Sequence, residues 1–262
     1  MKRGSSRISF LLAAILLGSN AHAQDKLRVV HVFVALADNA HQGIVPVPAA
    51  LGNGDDADRN LYWGAAFGVR TFFDRSKEWV LLGRPQRMDD RIIQRVVYQN
   101  YASGTYIVAD AYRGSEIKQA IADFLSAAAG LEKTMTLNAT NKAGSKSVDA
   151  KADLVVYVGH DGLMDFSLEK TFKGTGAAKR QAIVLACASN QYFGAALKPT
   201  GAEPLLWTTN LMAPEAYTLK AALDGWIAGE TGEEVRKRAA AAYAKYQKIS
   251  EKAALRLFAT GW

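Results

Sequence analysis

Four segments of this chain are too uniformly apolar to leave either face to water. Residues 27–36 hold Val29, Val30, Val32, Phe33 and Val34; residues 153–158 hold Leu154, Val155, Val156, Tyr157 and Val158; residues 181–186 hold Ala182, Ile183, Val184 and Leu185; residues 205–208 begin Leu205, Leu206, Trp207. A strand with one wet face alternates apolar and polar side chains, whereas a strand covered on both faces does not. Between and after these runs lie helical patterns. In residues 115–129, Ile117, Ile121, Phe124 and Leu125 form one face, Ser115 stands at the cap position, and Gly130 ends the segment. Residues 217–227 read as a helix. Residues 231–258 read as one long final helix, rich in alanine and opened by a capping box of Thr231 and Glu234. Buried strands alternating with helices predict an α/β fold, a three-layer sandwich around a mostly parallel sheet.

The remaining segments give weaker signals. Residues 37–58, with Pro46, Pro48, Gly52 and Gly54, read as a long loop, and long loops are often functional. Residues 60–73 show a rough helical pattern through Leu61, Trp63, Ala66, Val69 and Phe72, and residues 78–83 a short strand. Residues 92–112 fit a hairpin or a helix–strand pair. With 262 residues, 49% of them apolar and 22% charged, the chain has an ordinary globular profile. One domain, residues 24–230, with a C-terminal helix over 231–262 packed on it, is the expected organisation.

Residues 1–23 stand apart. Lys2, Arg3 and Arg7 precede an apolar run from 8 to 17, followed by the small-residue pattern Ala21-His22-Ala23. Basic start, short apolar run and cleavage pattern in this order describe a secretory signal peptide cut after Ala23. The run is too short for a membrane-spanning helix, which needs about 20 apolar residues. The leader predicts a bacterial periplasmic or secreted protein. Its removal takes three positive charges from a formal net charge of +7. The remaining basic residues, such as Arg236, Lys237, Arg238 and Lys245, are interleaved with Glu233 and Glu234 on one helix. That is a solvated face rather than a phosphate track, and no nucleic-acid partner is expected.

In parallel sheets, ligands and reactive groups gather beyond the carboxyl ends of the strands. One predicted strand runs into Gly159, His160, Asp161 and Gly162, and the next into Cys187, the only cysteine in the chain. If those strands are neighbours, their ends lie ~5–10 Å apart, given about 4.8 Å between adjacent strands. A thiolate is a strong nucleophile, but a free thiol is little ionised near neutrality, so it needs a base to take its proton. An imidazole at that distance supplies one and can return the proton to a leaving amine.

The two blocks, 154–160 ending in His160 and 182–187 ending in Ala186-Cys187, resemble those of the clan CD cysteine peptidases: caspases, metacaspases, legumains and gingipains. In that family a catalytic His follows one apolar strand and the nucleophilic Cys follows the next. The resemblance implies a caspase-like fold and a cysteine-type endopeptidase acting on peptide or protein substrates. It implies Cys187 as nucleophile, His160 as acid and base, and no cofactor or metal. The family places Gly directly after the His, where its N–H helps hold the oxyanion; this chain has His160-Asp161-Gly162, so Asp161 or Gly162 supplies that N–H, with Gly159 and Gly162 leaving room for the approach. That departure also fits a catalytically inactive relative that binds a ligand or partner in the periplasm.

Other chemistries lack their residues. There is no Gly-rich phosphate loop ending in Lys-Ser/Thr, no Gly-x-Ser-x-Gly elbow and no zinc-ligand spacing. His160-Asp161 follows a strand, not the helix a metal-dependent phosphohydrolase of the His-Asp type requires. His31 reads as packed within its strand and His41 as a loop residue; Tyr62, Trp63, Phe67, Phe72 and Phe73 have the spacing of core packing. Asp38, Asp55, Asp56 and Asp58 are loop carboxylates, as are Asp165 and Glu169.

Overall fold

A computed structural model of the protein describes residues 27–85, 89–141, 144–176 and 179–262. The expected signal peptide lies outside the described residues. The chain runs through strand β1 (Val29–Ala35), helix α1 (Val69–Asp74), strands β2 (Trp79–Gly83), β3 (Ile92–Asn100) and β4 (Tyr106–Tyr112), then helix α2 (Ile117–Ala128). Strands β5 (Met135–Asn141), β6 (Gly144–Ala150), β7 (Leu154–Val158) and β8 (Gln181–Leu185) follow. Two single-turn helices, α3 (Ser189–Tyr192) and α4 (Gly194–Leu197), lead into β9 (Glu203–Thr208) and α5 (Ala216–Ile227). The chain closes with α6 (Gly232–Gln247), α7 (Glu251–Leu257) and the two-residue strand β10 (Phe258–Ala259).

Eight strands form one sheet in the order β10-β9-β8-β7-β1-β4-β3-β2, and β5 pairs with β6 alone. From β9 to β4 every pairing is parallel; both edges are antiparallel. The protein is therefore of the α/β class, with a mixed, mostly parallel sheet. Helices cover both faces of the sheet. Val30, Val32 and Val34 of β1 pack in one core with residues of α1, α5, α6 and α7. Phe33 and Ala35 point the other way, into a core built with Ile121, Phe124 and Leu125 of α2 and with Phe193 and Leu197. Every residue of β1, β4 and β7 is buried, as their apolar runs require. Each large apolar side chain so enclosed contributes roughly 1.5–3 kcal/mol. The polar members of these strands are paired: His31 Nε2 meets Asp110 Oδ2 at 2.8 Å, and Arg95 grips the same carboxylate at 2.5 and 2.6 Å.

Three expectations need correction. Residues 61–68 form turns, and only Val69–Asp74 is helical, because the Asn60 side chain clamps this segment to the end of β1. Its amide accepts from Ala37 N–H and donates to Ala37 C=O. Residues 92–112 take the hairpin, one of the two arrangements that the sequence leaves open. Ser115 caps nothing, since a 3-10 turn over Gly114–Glu116 precedes α2. The final segment is not one helix: Lys248 turns left-handed at φ 54°, Ser250 caps α7 through Ala253 N–H, and Phe258 and Ala259 return to pair with β9. The break lets Ala254, Leu257 and Phe258 reach the core that a straight helix would leave. The hairpin of β5 and β6 has no counterpart in the sequence reading. Among the described residues no helix is long and apolar enough to cross a membrane.

Candidate functional site

Strands β7 and β8 are parallel neighbours, with Val158 opposite Leu185. His160 and Cys187 each stand two residues beyond that last pair, so the topology brings them level at the carboxyl edge of the sheet. Gly159 donates to Leu185 C=O at 3.2 Å and adopts φ +155°, a conformation side chains disfavour; a Cβ there would also crowd Ala35.

The turn after β7 is tightly specified. Gly162 N–H donates to His160 C=O at 3.0 Å across Asp161, whose φ −79° and ψ 85° make an inverse γ-turn. The Tyr157 hydroxyl donates to the same carbonyl at 2.8 Å. Gly162 N–H is thereby used, while Asp161 N–H has no acceptor among the described residues. Of the two N–H groups that the sequence leaves open for an oxyanion, only that of Asp161 is free. The ring of His160 is nearly buried, and its Nε2 lies 2.6 Å from Asp165 Oδ2. With Nε2 donating to the carboxylate, Nδ1 carries the lone pair, and it has no partner among the described residues. Asp165 Oδ2 also accepts from Gly43 N–H at 3.2 Å, tying the long loop after β1 to the histidine. Sequence reasoning passed over Asp165 as a plain loop carboxylate; its spacing from His160 gives no motif, and only the 3-10 turn over Gly162–Met164 brings it back onto the ring.

The turn after β8 is held just as firmly. Ser189 Oγ donates to Val184 C=O at 2.9 Å, and Thr208 N–H donates to Ser189 Oγ at 2.9 Å. Ala188, directly after Cys187, lies in the left-handed region at φ 47° and ψ 36°. For a residue with a Cβ this costs roughly 1–2 kcal/mol, and such strain gathers at functional turns. It turns the chain sharply from strand to helix and leaves Cys187 half-buried at the bend. The thiol accepts from Met212 N–H at 3.5 Å. Burial pushes its pKa up, the Met212 N–H pulls it down, and the negative field of Asp161 pushes it up again. No hydrogen bond joins His160 to Cys187 among the described residues. Tyr62 lies within electrostatic reach of the thiol, and burial drives its phenol well above the usual range. Tyr62 and its neighbour Trp63 both pack in the core as expected.

Asp161 differs from every other acid around it. Its side chain is fully buried; Oδ1 accepts from Leu163 N–H at 3.1 Å, while Oδ2 has no hydrogen-bond partner. Burial first, and the like charge of Asp165 second, push its carboxyl up to about 7, against the pull of the Leu163 and Met164 N–H groups. The four acids of the loop after β1 are all matched: Asp38 with His41, Asp55 with Arg113, Asp56 with Arg59 and Asp58 with Arg70. Among the described residues no cluster of three or more His, Cys, Asp or Glu side chains is arranged to hold a metal ion. No protein-family model, curated protein or solved structure matches this chain.

Proposed function

We propose that this protein is an exported cysteine hydrolase of caspase-like type, acting on peptide bonds with Cys187 as nucleophile and His160 as acid and base. What carries the reading is one arrangement. His160 and Cys187 end neighbouring parallel strands at the same level, with His160 Nε2 on Asp165 and Nδ1 left free. In the reaction the thiol proton passes to Nδ1 and the sulfur attacks the carbonyl carbon. The oxyanion so formed takes the free N–H of Asp161. The C–N bond breaks as His160 returns the proton to the amine, and water, deprotonated by the same nitrogen, releases the acid from the thioester. Asp165 orients the ring and offsets the imidazolium charge. The location outside the cytoplasm rests on the leader sequence alone.

A screen of mature protein against fluorogenic peptides and esters tests the reading. Turnover is expected in the wild type and is expected to vanish in Cys187→Ala, with folding checked by circular dichroism. A folded Cys187→Ala protein with full activity overturns it. The second reading, an inactive relative that binds a peptide or protein, is favoured by one observation: the resting thiol is held neutral by burial and by Asp161. It predicts no turnover of any peptide and a Cys187→Ala protein with unchanged binding.

A further inference from the structure

Asp161 has a role the hydrolysis scheme does not use. We infer that the charge on its side chain sets how readily Cys187 ionises: as a carboxylate it opposes the thiolate, and a neutral group in its place does not. The inference deepens the proposed function at the same site, but its readout is the chemistry of the sulfur and not turnover.

The geometry argues for it. A fully buried carboxyl normally finds a cation or several N–H donors. Asp161 has one side-chain hydrogen bond, from Leu163 N–H, and an orphan Oδ2. No Lys, Arg or His forms an ion pair with it among the described residues. The groups that face it make matters worse. Tyr157, from β7 beneath it, gives its hydroxyl hydrogen to His160 C=O and not to the carboxylate. Asp165, on the same loop, adds a like charge. His160 spends Nε2 on Asp165. Cys187, across at the end of β8, would itself become an anion. Lys118 of α2 lies over the Phe166 ring at 5.9 Å and forms no ion pair with Asp161. A carboxyl so placed takes up its proton near neutrality. Two anions cannot both form cheaply in one buried site, so ionisation of Asp161 and of Cys187 are coupled.

The test is the rate of Cys187 alkylation by iodoacetamide from pH 5 to 9.5, in wild type, Asp161→Asn and His160→Gln. In the wild type the logarithm of the rate rises with pH, flattens near pH 7 as Asp161 ionises, then rises again. In Asp161→Asn, whose amide oxygen still caps Leu163 N–H, the flattening disappears. The variant then labels severalfold faster than the wild type at pH 9 and at a similar rate at pH 6. In His160→Gln the flattening persists, which separates it from imidazole titration. A wild-type profile with no flattening overturns the inference, as does a flattening lost in His160→Gln yet kept in Asp161→Asn. If Asp161→Asn does not fold, Asp161→Ser, whose hydroxyl also caps Leu163 N–H, replaces it, and the contrast between wild type and His160→Gln still decides. A flattened profile in a protein that hydrolyses nothing removes the proposed function and leaves this inference standing.

Discussion

The loops after β1 and β7 both carry acids at the same end of the sheet, and they handle charge in opposite ways. In the loop after β1, Asp38 is buried but satisfied: it accepts from Ala40 N–H at 2.8 Å, His41 N–H at 3.2 Å and His41 Nδ1 at 2.9 Å. Gly54 and Gly114 press against it so closely that a Cβ on either would overlap its carboxylate. Asp55, Asp56 and Asp58 each have an arginine. In the loop after β7, Asp165 serves His160 and Gly43, but Asp161 is buried with one oxygen unmatched. The first loop is a braced wall, and its charges hold a shape. The second keeps an uncompensated acid beside a thiol, a cost that folding alone gives no reason to bear. Perturbed titratable groups of this kind cluster where chemistry is done.

That contrast can be broken at several points. The largest effect is expected on the β7 side: His160→Ala should lower turnover by about 10²–10⁴-fold, the usual contribution of a positioned acid and base, measured as kcat on the best peptide from the screen. Next is the pH dependence of stability. The folded-state pKa of Asp161, about 7, lies above the unfolded value near 4, so the wild type loses stability as pH rises from about 4 to about 7. Asp161→Asn should therefore gain on the wild type by on the order of 4 kcal/mol between pH 4 and pH 8, read from urea midpoints. An identical gap at both pH values would remove the distinction between the loops. On the β1 side, Asp38→Ala should cost about 1–3 kcal/mol at pH 7, because two backbone N–H groups lose their acceptor. Smallest of all, Asp58→Ala should change stability by less than about 1 kcal/mol, since the Asp58 side chain is itself 72% exposed. A larger loss there would mean that the wall depends on its rim charges as well as on Asp38.

Much of the sheet was readable because its signals are local. A run such as 154–158 has only one way to satisfy its apolar side chains, burial on both faces, and that fixes strand type and environment together. The capping box at Thr231 was legible for the same reason, both partners lying within four residues. The helix expected over residues 60–73 failed because Asn60 answers to Ala37, and no window around residue 60 contains that partner. The final helix failed because its last residues answer to β9.

The site divides along the same line. The sequence by itself determined that a histidine and the only cysteine would follow consecutive buried strands. It did not determine that the strands are neighbours or that Asp165 folds back onto the histidine. Nor could it distinguish Asp161 from Asp55. Both are aspartates in polar turns, yet one meets an arginine 58 residues away and the other meets only backbone N–H groups of its own turn. Apolar patterning is written in adjacent residues because water acts on each segment alike. The charge state of a carboxyl is decided by which distant groups the finished fold sets against it, and that only the tertiary structure decides.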